Sequence, residues 1–176
     1  MVMHRTLAEL LRESIAEYLV MACVSLDTQK VTGGVYGFPA ALLLLSVVDA
    51  IGSYYVGNTA FTVDIDGRPE PVNKKNHYRI LNGPHFELKL SHAQINGLYE
   101  QYRCLLTHNA ALPPGRTLDC GPETTEPFYF RDDGIIDTIN LRNFLTVVER
   151  GANRFFEQLD SALPLTRQVA NVYFKT

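Results

Sequence analysis

The chain has 176 residues, 46% of them hydrophobic and 20% charged, which suits one globular domain with a real core and excludes a disordered or fibrous chain. A formal charge of -3 gives no bulk attraction to nucleic acid, so any RNA contact must come from a local patch. Cys23, Cys104 and Cys120 cannot all pair within one chain and form no C-x-x-C, which fits reduced thiols in the cytoplasm.

The opening MVMHRTLAELLRES is charged too early for a secretory signal. Thr6 and Glu9 stand at capping-box spacing and predict a helix through about residue 23. Leu7, Leu10, Leu11, Ile15, Tyr18, Leu19 and Ala22 make its inner face. Arg5, Glu9, Arg12, Glu13 and Glu17 lie opposite, as charges on a surface helix do without any function. His4 reads as a solvated end residue, and residues 25–37 as a loop by their polar residues and glycines.

Residues 38–48, FPAALLLLSVV, are apolar nearly all round, with Pro39 in the first turn. Eleven residues fall short of the ~20 that span a bilayer, so this is a central buried helix and no membrane partner is expected. Asp49 then interrupts it. A carboxylate there either lies at the helix end, bonded to backbone, or needs a cation such as Arg103.

Residues 57–76 lose periodicity, and Gly67, Pro69 and Pro71 mark them as a loop excursion. Asp64 and Asp66, like Asp132 and Asp133, sit beside glycine, where turn duty explains them. Lys74, Lys75, His77 and Arg79 form a basic cluster, read as solvated surface rather than a phosphate contact. Tyr78, Ile80 and Leu81 predict a short packed helix, stopped by Asn82-Gly83-Pro84.

The stretch 91–115 carries the functional interest. Ser91 and Gln94 set a capping box, and Ile95, Leu98, Tyr99, Tyr102, Leu105 and Leu106 make one apolar stripe. Pro113, Pro114 and Gly115 end the helix. Arg103 stands at the edge of the stripe, and His108 follows where the helix runs out. Five residues on an ideal helix turn through about 140°, so the two side chains do not share a face. They converge if the helix loosens at His108, or if a second copy supplies the complementary residue at a two-fold interface.

Residues 116–120 and 127–131 suggest two short strands of a hairpin joined by GPETTE, and Asp133-Gly134 a turn. A last helix runs from about 137 or 140 to 159, with Leu141, Phe144, Leu145, Val148, Ala152, Phe155, Phe156 and Leu159 inward. The tail 163–176 is apolar enough to dock on a subunit partner or on the chain's own core. The expected fold is therefore all-α: one domain over 1–176, a bundle of four to five helices with a β-hairpin inserted before the last.

Known site patterns are few. The five histidines are scattered, H-E-x-x-H is absent, and no cysteine pair has zinc spacing, so no metal is expected. There is no phosphate loop and no G-x-S-x-G, and no cofactor is expected.

The run Leu98-Tyr99-Glu-Gln-Tyr102-Arg103, followed by Leu-Leu-Thr-His108, resembles the HEPN domains (higher eukaryote and prokaryote nucleotide-binding). Their mark is an Arg, four to six residues, then a His on the third long helix, behind an apolar helix bearing an acid, here LLLLSVVDAIGS. The resemblance implies a metal-independent endoribonuclease acting at a homodimer cleft. His108 would be the general base on the ribose 2′-hydroxyl and Arg103 the phosphate ligand, with Asp49, Tyr99 and Asn109 in support. Cys104 departs from the polar residue that often follows the Arg, and Ala110 excludes the His-x-Tyr form. The alternative is a non-catalytic dimeric binding or scaffold module in a defence or regulatory system, acting with a cognate partner protein. There Arg103 would pair with Asp49 or Glu100, and His108 would cap carbonyls.

Overall fold

The computed structural model describes residues 6–74, 76–121 and 125–159, so His4, Lys75 and the tail 163–176 lie outside the described residues. Helix α1 (Leu7–Asp27) starts where the Thr6 hydroxyl accepts the Glu9 N–H at 3.1 Å. Its inner face is close to the expected one, although Tyr18 is exposed. Helix α2 (Gly37–Tyr54) buries nine residues, from Gly37 to Gly52, against α1, the last helix and the segments around them. Among the described residues α2 alone has the length and apolar composition to cross a membrane. Its packing as the core helix is compatible with a soluble protein.

The final helix, α5 (Leu141–Gln158), is capped by Asn140, whose side chain accepts the Asn143 N–H. It packs on α1 and α2. Each of α1 and α5 also closes the other's C-terminal end. Arg12 donates to the Phe156 and Leu159 carbonyls, and Arg142 donates to the Leu26 carbonyl. Cations placed there satisfy orphan carbonyls and complement the helix dipole. The outward Arg12 of α1 therefore has structural work.

The expected loop at 57–76 holds a hairpin instead. Strands β1 (Thr62–Ile65) and β2 (Arg68–Pro71) pair antiparallel around Asp66-Gly67, both at positive φ. The side chain of Asp64 accepts the Gly67 N–H, which is the turn duty expected of it. Alternating burial along β1 drives the strand, and the prolines of β2 are tolerated because a two-stranded sheet has only edges. A 3₁₀ helix (His77–Asn82) follows and lies against α2, with the Tyr78 hydroxyl donating to the Leu45 carbonyl at 2.7 Å.

The stretch after Ser91 does open with the full capping box, but it is not one uniform helix. Helix α3 (His92–Gly97) passes into a π-helical segment (Leu98–Cys104) and then into α4 (Leu105–Asn109). It ends at Ala110 in the left-handed conformation, before the prolines.

A second sheet corrects the hairpin expected before the last helix. Strands β3 (Thr117–Asp119) and β4 (Phe128–Phe130) do not pair with each other. Both pair with β5 (Ile136–Asn140), which lies between them, parallel to β3 and antiparallel to β4. β-Branched Ile136, Thr138 and Ile139 suit this central strand, and the Asp133-Gly134 turn feeds it. The expectation of an all-α bundle is thus wrong. With two small sheets among its helices, the chain is mixed α/β. β3 and β4 fall where strands were expected, at 116–120 and 127–131; β1, β2 and β5, of four or five residues, are too short for alternation to rise above the helical pattern around them.

One buried polar group carries a pH prediction. The Tyr55 hydroxyl donates to Gln158 Oε1 at 2.9 Å, so at 2.8 Å it accepts from His85 Nε2–H. The Nδ1 of His85 is buried with no hydrogen-bond partner among the described residues. Burial, aided by the Arg154 charge, pushes this imidazole down to about 4. The folded value lies below the unfolded one near 6.5, so this stability is present above about 6.5 and is lost as pH falls toward about 4. Urea unfolding should lose about 1–2 kcal/mol more between pH 7 and 5 in the parent than in His85→Phe. Equal losses would refute the neutral buried histidine.

Candidate functional site

The polar cluster of interest begins on α2, where Asp49 and Ser53 stand one turn apart on one side of the helix. His77 reaches them from the first residue of the 3₁₀ helix. It comes this close because Gly52 has no side chain: a Cβ there would collide with the His77 backbone carbonyl. Arg103 arrives from the end of the π segment. Asp49 then divides its carboxylate, with Oδ1 at 2.8 Å from His77 Nδ1 and Oδ2 at 2.8 Å from Arg103 Nη2.

Ser53 Oγ lies 3.0 Å from the same His77 Nδ1. A serine–histidine–carboxylate relay requires the two partners on opposite ring nitrogens, so this is not one. With Asp49 accepting from Nδ1–H, Nε2 is left with no hydrogen-bond partner among the described residues. The Tyr99 ring lies under the Arg103 guanidinium at 6.0 Å, and Tyr78 meets Tyr99 edge-on at 5.7 Å. Residues four apart are neighbours on a helical surface, which places Tyr99 beside Arg103.

The cluster is half-buried. Side-chain exposure is 19% for Asp49, 23% for His77 and 26% for Arg103, so solvent and a ligand can reach all three. Burial alone would raise the Asp49 carboxyl. The His77 hydrogen bond and the Arg103 charge outweigh it and hold the carboxyl below its usual value. Burial likewise works against the Arg103 charge, and Asp49 reverses it, holding the guanidinium above its usual value. The directions agree, as expected for an ion pair.

Of the residues singled out from sequence, Asp49, Tyr99 and Arg103 come together. His108 and Asn109 do not join them: both are exposed on the last turn of α4. The helix does loosen, but over 98–104, while His108 lies in the regular turn of α4 that follows. The basic cluster also divides. His77 turns to Asp49, Arg79 pairs with Glu70 at 2.6 Å, and Lys74 is exposed. Sequence reasoning missed His77 and Ser53. The available signals were the four-residue spacing of Ser53 from Asp49 and a glycine, Gly52, inside an apolar helix.

The groove bordered by Asp64, Asp66, Glu87 and Lys89 shares no residue with this cluster. Among the described residues no group of three or more His, Cys, Asp or Glu could hold a metal ion. What the cluster offers is a guanidinium anchored at one nitrogen, an imidazole anchored at one nitrogen, and one carboxylate anchoring both. No family model matches this chain, and no curated protein or solved structure does.

Proposed function

We propose that the chain is a metal-independent endoribonuclease that works in the HEPN manner, with Arg103 as phosphate ligand and His108 as general base. The observation that supports it best is the Asp49–Arg103 pair. It fixes the guanidinium through Nη2 and leaves the other N–H donors of the fork without a hydrogen-bond partner among the described residues. A planar fork with free donors beside solvent matches phosphate oxygens. His108 is exposed on the last turn of α4 and does not join the Asp49–Arg103 pair, so the active unit of this reading is a homodimer in which one copy supplies the base. The 2′-oxygen attacks phosphorus, and the products are a 2′,3′-cyclic phosphate and a 5′-hydroxyl. Free Cys23, Cys104 and Cys120 fit a cytoplasmic protein.

The second reading, a binding or scaffold module, draws on the same pair, because an ion pair also holds elements together without chemistry. Activity separates the two. We expect cleavage of RNA oligonucleotides in EDTA, leaving cyclic-phosphate ends, by a protein that light scattering shows to be dimeric at micromolar concentration. His108→Ala should lose ~10²–10⁴-fold in rate, and Arg103→Lys should also be impaired because an ammonium cannot reproduce the fork. A confirmed dimer that cleaves no RNA would leave the binding module.

A further inference from the structure

The mechanism above protonates nothing on the leaving side. When the 2′-oxygen–phosphorus bond forms, the phosphorus–O5′ bond breaks, and the departing alkoxide needs a proton. His108 carries off the 2′-hydroxyl proton and cannot at that moment supply another.

The molecule holds one other imidazole beside Arg103. We infer that His77 is the second proton-transfer residue of the site, giving the proton on Nε2 to the 5′-oxygen as it leaves. This rests on the ribonuclease reading of Arg103. Three observations carry it. First, one carboxylate binds both groups, so the His77 ring and the Arg103 guanidinium sit side by side on its two oxygens. A phosphate on Arg103 is thereby close to an imidazole of the same chain. Second, the ring is oriented through Nδ1 alone, by Asp49 and Ser53 from α2, while Nε2 is unpartnered among the described residues. Third, the side chain is 23% exposed, enough for a substrate oxygen to reach it.

The step balances. The 2′-hydroxyl gives its proton to His108 and its oxygen bonds to phosphorus; the P–O5′ electron pair returns to O5′, which takes the His77 Nε2 proton. His77 ends neutral and His108 protonated, and exchange with water restores both. Facing Asp49, which holds the ring, are Arg103 and Tyr99 on the π segment and Tyr78 on the 3₁₀ helix, with Cys104 beside the two tyrosines. Of these, Asp49 alone contacts the ring.

The test uses two substrates with the dimeric protein: an RNA oligonucleotide and a ribonucleoside 3′-(4-nitrophenyl phosphate). Nitrophenolate leaves without a proton, so it has no use for an acid. His77→Asn keeps an N–H near the Nδ1 position for Asp49 but removes the Nε2 that would give the proton. We expect it to slow RNA cleavage by about 10²-fold or more, to change the nitrophenyl ester rate by no more than about 3-fold, and to lose one limb of the pH–rate profile. The urea midpoint should match the parent. His108→Ala should slow both substrates, since both require the base. Equal losses on both substrates in His77→Asn would make His77 a positioning residue and overturn the inference, as would no loss on RNA. A parent that cleaves neither substrate would overturn the ribonuclease reading itself, and the inference with it.

Discussion

Gly52→Ala is expected to destabilise the protein by about 3 kcal/mol or more, read as a shift in the urea midpoint with an unchanged slope. The methyl group would overlap the carbonyl oxygen of His77, with the His77 carbonyl carbon and Cβ also at 2.9 Å. These are mostly backbone atoms of the 3₁₀ helix, which Tyr78 ties to Leu45 and whose Tyr78, Ile80 and Leu81 are buried. The turn can retreat only by lifting those residues from α2. Gly97→Ala serves as the control. It lies at the end of α3 with nothing within 4 Å of the added carbon, so there alanine should be neutral or add up to about 1 kcal/mol. A Gly52→Ala protein as stable as the Gly97→Ala protein would mean that the 3₁₀ helix is not seated on α2, and that His77 is not delivered to Asp49.

That dependence on one glycine explains much of what could be read from the chain. The long helices announce themselves through side-chain periodicity and caps, as at Thr6, Ser91 and Asn140, which act locally. The strands do so only in part. Residues 116–120 and 127–131 read as strands and are close to β3 and β4, but their pairing is set by β5, which passes between them and is placed by the turn at Asp133-Gly134 and by packing under α5. Nothing within either strand records that. In the same way Asp49 was legible as a problem, since a carboxylate in an apolar helix needs a partner, and Arg103 was a nameable candidate. His77 was not, because its neighbours Lys74 and Arg79 made it look like one more surface cation. Its approach to α2 depends on backbone contact at Gly52, which side-chain patterning does not encode. The π winding at 98–104 is likewise invisible to a rule of 3.6 residues per turn.

Asp49→Ala is expected to cost about 2–3 kcal/mol at pH 7, less than for a fully enclosed pair because the partners keep some contact with water. The loss comes chiefly from Arg103, whose charge would stay half-buried without its counter-ion, and from His77 Nδ1, which would keep only Ser53. Asp49→Asn should recover little, since an amide matches the shape but carries no charge for the guanidinium. A double-mutant cycle with Arg103→Met isolates the pair: removing both should cost less than the two single losses added together, because the stranded cation is gone. The acid limb gives an independent check. The folded carboxyl of Asp49 sits below its usual value, so its contribution is complete above the unfolded carboxylate range near 3.9 and is lost as pH falls through the folded value. Stability of Asp49→Ala should therefore fall less steeply than that of the parent in that acid range. If Asp49→Ala lost under about 0.5 kcal/mol, as exposed positions do, the carboxylate would not be holding Arg103 in solution. The phosphate-binding role of that guanidinium would then lack its anchor, whatever RNA cleavage showed.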